Sequence, residues 1–175
     1  MKSSKALENR TMVFIDLENS CGSSELVASY HAKVLDFVKK NIDDERLLIN
    51  YSTGPRCHKF DPSKAILQTW SAARFKMGHG LDGADNCLID MILNEPSAMR
   101  SRRVFIVSGD HIFTDAVKQL RLAGVEVTVV ARQSALNHRL AEAANKVDYL
   151  PEFFQEDFVL LLATLAGSTT DVVAQ

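Results

Sequence analysis

Disulfide frameworks, zinc knuckles and membrane spans all lack their raw material in this chain. The three cysteines, Cys21, Cys57 and Cys87, are an odd number with no CxxC spacing, which argues against a disulfide framework and offers no zinc-ligand pattern. The longest apolar run, Phe158 to Leu162, falls far short of the ~20 residues that cross a bilayer. The leading MKSSKALENR has no apolar stretch, so no signal peptide is expected there, and a reducing cytoplasm is the expected location. There is no internal repeat and no low-complexity block. Neither sign of charge dominates: 20 Lys+Arg against 22 Asp+Glu leave a net charge of −2. That excludes a wholesale electrostatic grip on nucleic acid, though not a local basic patch.

What is present is the makings of a core. Hydrophobic residues are 46% and charged residues 24% of 175, the balance of one soluble globular domain. Short apolar runs at Met12–Ile15, Leu47–Tyr51, Val104–Val107 and Val125–Val130 predict strands, with a weaker strand signal at Arg74–Met77 and a last short strand at Val147–Leu150. Between them lie helical patterns. Residues 25–41 carry Leu26, Tyr30, Val34, Phe37 and Val38 on one stripe, and Asp61-Pro62 starts a second helix. Further helices are expected over 82–94, over Phe113–Ala123 stopping at Gly124, from a Ser134 cap to about Ala144, and over 152–166. Continuously apolar strands alternating with helices predict a Rossmann-like three-layer α/β/α fold with a mostly parallel central sheet. The expected organisation is a flexible N-terminus over 1–10, a domain over 11–150, a C-terminal helix over 151–166 packed on the domain or a partner, and a flexible tail over 167–175. The apolar residues 158–162 leave a homo-oligomer open.

In such folds ligands bind beyond the carboxyl ends of the strands. Asp16 ends the first strand and Asp110 follows the Val104–Val107 strand, so both fall on one edge of a parallel sheet. Asp85 opens a helix after a glycine-rich approach through Gly78, Gly80 and Gly83. Three acids converging without an obvious basic partner repel one another, and a hard cation relieves them. Mg²⁺ or Mn²⁺ held by carboxylates and waters suits phosphodiester chemistry. Each acid also has an ordinary reading: Asp82 and Asp85 as cap and first-turn acid of a helix, Asp110 as an N-cap, Asp16 as the close of a turn. Asp90 lies five residues after Asp85, about 140° around a regular helix, so it is expected either in the outer site or on a solvated face.

At these residues the sequence resembles the NYN domain family, a branch of the PIN-like nuclease superfamily. The matching stretches are VFIDLEN (13–19), GADNCLIDMI (83–92), VFIVSGDHIF (104–113), LAGVEVTVV (122–130) and LAEAANKVDYL (140–150), in family order. The resemblance implies a Rossmann-like sheet and a metal-dependent ribonuclease acting on RNA. It implies Asp16, Asp85 and Asp110 as catalytic metal-site acids and Asp90 as a further acid. Asn19 is implied as the residue orienting a ligand or phosphate oxygen, and Ser108 as a hydroxyl behind the acids. Three positions depart from the family pattern. Ile112 stands where a second Asp is frequent, Asp82 where a basic residue is usual, and Asn145 where an Asp is expected. Asp115 reads as a surface acid rather than a replacement.

Residues 54–80 hold Arg56, Lys59, Lys64, Arg74 and Lys76 among Phe60, Trp70 and Phe75. Cations interleaved with aromatics suit single-stranded nucleic acid, and these five are the expected substrate-binding residues. A solvated face with core aromatics is the alternative. Arg100, Arg102 and Arg103 precede a strand and belong to the wrong edge. His111 adjoins Asp110, but like the other histidines it is single and lacks metal spacing, and a phosphate contact is the less expected reading. The leading expectation is thus a metal-dependent ribonuclease. The alternative is a catalytically depleted NYN-domain RNA-binding or scaffold protein, favoured by Ile112 and Asn145. A phosphotransfer domain is disfavoured, because Glu18 rather than Asp follows Asp16 by two residues and no Thr/Lys pair accompanies it.

Overall fold

The structure, a computed structural model, describes residues 8–21, 34, 36–38, 40–42, 47–54 and 73–151. Its described elements in chain order are β1 (Glu8–Asp16), α1 (Leu17–Cys21), β2 (Leu47–Thr53), β3 (Arg74–Met77), α2 (Gly83–Asn94), β4 (Ser101–Val107), α3 (Thr114–Leu122), β5 (Glu126–Arg132), α4 (His138–Ala143) and β6 (Lys146–Leu150). The six strands form one sheet in the order β3-β2-β1-β4-β5-β6. Every pairing is parallel.

Alternation along β1 builds the core on both faces. Met12 and Phe14 join Leu88, Ile92, Val104, Ile106, Phe113, Val117 and Leu120 on one side. Val13 and Ile15 join Leu17, Val34, Val38, Ile49, Tyr51 and Val107 on the other. Met12 through Ile15 are fully buried, which is why the strand reads as an unbroken apolar run rather than as alternation. Chain order reverses at β1: β2 and β3 extend the sheet one way, β4 to β6 the other. The crevice between the carboxyl ends of β1 and β4 is therefore the switch point where such sheets bind ligands.

Boundaries differ from the sequence pattern where partners rather than hydrophobicity decide. Strand β1 starts at Glu8, which pairs with Ser101 ahead of an irregularity before Thr11, so residues 8–10 belong to the sheet and not to a flexible lead-in. Helix α4 does not start from Ser134. Gln133–Ala135 form a 3-10 turn, and Asn137 caps the helix by accepting from Arg139 N at 2.9 Å. Asn137 N donates to Gly109 O at 2.9 Å, and this tether to the β4 loop sets where the helix can begin. Of the 25–41 stripe, Val34 and Val38 are buried and Phe37 packs against them, while Leu26 and Tyr30 lie outside the described residues. So do the helices expected after Asp61 and over 152–166. Among the described residues no helix is long and apolar enough to cross a membrane.

Candidate metal centre

Asp16 is the last residue of β1 and is only 3% exposed. An ionised carboxylate there needs donors. Its Oδ1 accepts from Asn19 N at 3.2 Å, and its Oδ2 accepts from Ser108 Oγ at 3.0 Å. Asp85 also shares a hydrogen bond with it. Burial, opposed by these donors, holds the Asp16 carboxyl above its ordinary range.

Asp85 arrives from the other side, in the first turn of α2. Burial comes first in raising its carboxyl, followed by the charge of Asp16, the bond to Asp16, and the charges of Asp110 and Asp82; together they push it up to about 8. Two carboxyls in contact cannot both ionise cheaply, so the bare pair holds a proton. Asp110 stands at the edge of this cluster. Its Oδ1 accepts from Ile112 N at 3.0 Å and faces His111 Nδ1 at 2.8 Å. The cap reading of Asp110 thus holds together with its electrostatic reach to Asp85. The cap reading of Asp82 fails: its side chain bonds no helix N–H and its backbone is left-handed at φ 50.

The loop after β4 is fastened to the end of β1 at several points. Ser108 is the hinge pin, since Asp110 N donates to the same Oγ at 3.2 Å. Asn19 Oδ1 accepts from Gly109 N at 2.8 Å, which leaves the Nδ2 donors for a ligand oxygen. Arg132 donates to Asn19 O at 3.2 Å, and Ser20 Oγ donates to Val107 O at 2.9 Å. Glu18, not singled out from the sequence, closes the other flank. Its Oε1 accepts from Gly54 N at 2.8 Å and from Thr53 Oγ1 at 3.2 Å, and its charge adds to the raising of Asp16. The available signal was its place in the first turn of the helix that follows a buried strand.

Three expected site residues stand elsewhere. Asp90 projects to the exposed face of α2, where Asn94 donates to it at 2.6 Å and Lys76 pairs with it at 3.1 Å. Asn94 first and Lys76 second hold its carboxyl below the usual range. Arg74 pairs with Glu95 at 2.7 Å and donates to Asn50 Oδ1 at 2.8 Å. Lys76 and Arg74 therefore pin the edge strand β3 to α2 instead of standing unpaired for a phosphate. Arg56, Lys59 and Lys64 lie outside the described residues. Ile112 packs against the core, and Asn145 Oδ1 accepts from Val127 N at 2.9 Å, so both departures carry structural work. Asp115 is the expected surface acid, 3.5 Å from Lys118.

As the side chains stand, no three His, Cys, Asp or Glu among the described residues form a closed ligand set. Magnesium requires less, since one or two carboxylates plus waters and substrate phosphate hold it. A touching, half-protonated carboxyl pair backed by a third acid fits that donor chemistry. A cavity of about 690 Å³ opens at the opposite, amino end of the strands, between Arg121, Leu122, Gly124, Glu126 and Asn145; none of the three acids lines it.

A family model described as NYN domain matches residues 10–151. No curated protein matches. Among solved structures, a protein of unknown function from Vibrio parahaemolyticus is similar at a TM-score of 0.55 and 13% identity, over 87% of this chain and 98% of that one. That likeness concerns the fold.

Proposed function

This chain belongs to the NYN domain family of the PIN-like nuclease superfamily, and from that premise we propose that it is a divalent-metal-dependent ribonuclease hydrolysing RNA phosphodiesters at the β1–β4 rim. One observation carries the reading: Asp16 and Asp85 are in contact, with the charge of Asp110 acting on Asp85, and the influences on both are burial, neutral donors and other acids. Such a pair is poorly satisfied until a cation replaces its proton. Asp16 and Asp85 would hold Mg²⁺ or Mn²⁺, with Asp110 adding negative potential from the loop. When bound, such a cation supplies water of lowered pKa and neutralises charge on the phosphodiester.

The chain's own residues prepare the site for that chemistry. Ser108 and Asn19 N fix both oxygens of Asp16, so the carboxylate is oriented before substrate arrives. Asn19 presents its amide donors at the same rim while its oxygen braces Gly109. Burial of Asp16 excludes bulk water and strengthens every charge interaction in the crevice. The segment carrying Arg56, Lys59 and Lys64 precedes β3 and α2 and is proposed as part of the RNA path.

The test is incubation of purified protein with labelled single-stranded and structured RNAs in Mn²⁺, Mg²⁺ or EDTA. Cleavage with metal is expected, with none in EDTA and none for Asp16→Asn. RNA binding without cleavage under either metal would identify a binding module instead.

A further inference from the structure

The cavity at the amino end of the strands is built from the last turn of α3, the start of β5 and the approach to β6, and nothing in the ribonuclease reading uses it. Its volume of about 690 Å³ is that of a small-molecule site. Lys118, Arg121 and Leu122 line it from α3, and the spacing of three and four residues puts them on one helix face. The carbonyls at that helix end are closed by backbone: Gly124 N donates to Arg121 O at 2.9 Å and Val125 N to Leu120 O at 3.0 Å. The two cations are therefore not needed as caps. Arg121 Nη1 is fixed on Ala143 O at 2.7 Å, and its other guanidinium donors have no partner among the described residues. Lys118 has only the loose exposed contact with Asp115 at 3.5 Å. Asn145 is clamped from both sides, its N donating to Val127 O at 2.9 Å and its Oδ1 accepting from Val127 N at 2.9 Å. That fixes which end of the amide is committed and keeps the Nδ2 donors for the cavity it lines. Glu126 supplies a carboxylate to the same lining, and Leu122, 89% exposed, an apolar face.

These groups select a ligand by chemistry. A guanidinium held at one nitrogen, an ammonium and an oriented amide N–H are donors suited to one phosphate group. Two cations facing Glu126 are too few for a track of phosphates, and a polyanion would meet the carboxylate. Glu126 instead accepts from hydroxyl donors on a neutral part of the ligand, and Leu122 offers packing to a flat ring. An aspartate at 145 could accept the same bond from Val127 N, yet it would turn a second negative charge and no donor on the cavity. We propose that this cavity is a second ligand site, which takes a nucleoside monophosphate with its phosphate on Arg121, Lys118 and Asn145, its ribose hydroxyls on Glu126 and its base against Leu122. The site stands apart from the acid rim and does not rest on the ribonuclease reading.

The experiment titrates the full chain with adenosine 5′-monophosphate, adenosine and inorganic phosphate by calorimetry. EDTA is present, so that no cation can hold a phosphate at the acid rim. Saturable binding of the monophosphate is expected, with adenosine and inorganic phosphate each about tenfold weaker or more, since each carries only part of the recognised chemistry. Asn145→Asp keeps the acceptor for Val127 N, so its melting temperature should match wild type, while monophosphate binding falls about tenfold, the scale of a lost hydrogen bond to a charged group. Lys118→Gln, at an exposed position, should weaken the monophosphate and phosphate but not adenosine. Leu122→Ser should weaken the monophosphate and adenosine but not phosphate. Asp16→Asn should bind the monophosphate as wild type does. The site is overturned if the monophosphate shows no saturable binding, if inorganic phosphate binds as tightly as the monophosphate, if Asn145→Asp and Lys118→Gln both bind as wild type does, or if Asp16→Asn abolishes the binding and so places it at the rim. A wild type that cleaves no RNA yet shows this pattern sinks the ribonuclease reading and leaves the second site standing.

Discussion

Ser108 Oγ donates to Asp16 Oδ2 at 3.0 Å across 92 residues of sequence. The hydroxyl also accepts from Asp110 N, so one buried serine sets the orientation of the first acid and the path of the loop carrying the third. Ser108→Ala removes both bonds and leaves a buried carboxylate short of a donor. Metal affinity and cleavage are expected to fall about 10–100-fold, the usual cost of losing a group that orients a metal ligand. Manganese titration and kcat/KM measure this; values within twofold of wild type would deny Ser108 the role.

The raised carboxyl of Asp85 predicts an unusual pH profile for the metal-free protein. Its folded value of about 8 lies above the ordinary 3.8, so the folded state binds this proton more tightly than the unfolded chain does. The contribution is therefore fully present below about pH 4 and is lost as pH rises through about 8. In EDTA the melting temperature should decline across that window. Saturating Mn²⁺ should reverse the decline, by about 2.7 kcal/mol at a hundredfold excess over Kd. Asp85→Asn should flatten the profile, raise the metal-free melting temperature at pH 8 and abolish the manganese response. A melting temperature indifferent to metal at pH 8 would count against the carboxyl pair as a cation site.

Gly109 has no room for a side chain. A Cβ there would lie 2.4 Å from Ala135 O, while its N–H is held by Asn19 and its carbonyl by Asn137 N. Gly109→Ala must push the loop after β5 away from the loop after β4, at a cost of about 1–3 kcal/mol typical of overpacking. Urea denaturation should show the loss, and cleavage should fall further than stability alone explains because Asp110 moves with the loop. Unchanged stability would mean that the two loops separate freely.

Asp90 and Lys76 form an exposed pair, and solvent screening leaves such pairs with little net effect on stability. Asp90→Asn is expected to leave cleavage within about twofold of wild type, in contrast to Asp16→Asn and Asp85→Asn. The same assay in parallel decides it: a tenfold loss for Asp90→Asn would put this acid back among the metal ligands.

Much of the architecture is legible in the sequence. Buried strands in a parallel sheet are apolar on both faces, so Met12–Ile15 and Val104–Val107 announced themselves as runs, and the glycine after α3 marked its end. Acids directly after such runs must fall on one edge of the sheet, because parallel strands share a direction. That placed Asp16 and Asp110 together from the sequence alone, and family resemblance named the same residues.

Contacts across elements were not legible, because periodicity records which face a residue occupies and not which neighbour it meets. Helical spacing left Asp90 between an outer site and a solvated face; Lys76 on the edge strand and Asn94 one turn on decided for the face. Arg74 and Lys76 read as open cations until Glu95 and Asp90, 21 and 14 residues away, came opposite them. The sequence also gives no sign that the Asn19 oxygen braces Gly109 N, 90 residues on. The sequence by itself determined the sheet, its edge and the acids that end on it. Only the tertiary structure decided that Asp16 and Asp85 meet, because sequence spacing does not say how α2 packs over the end of β1.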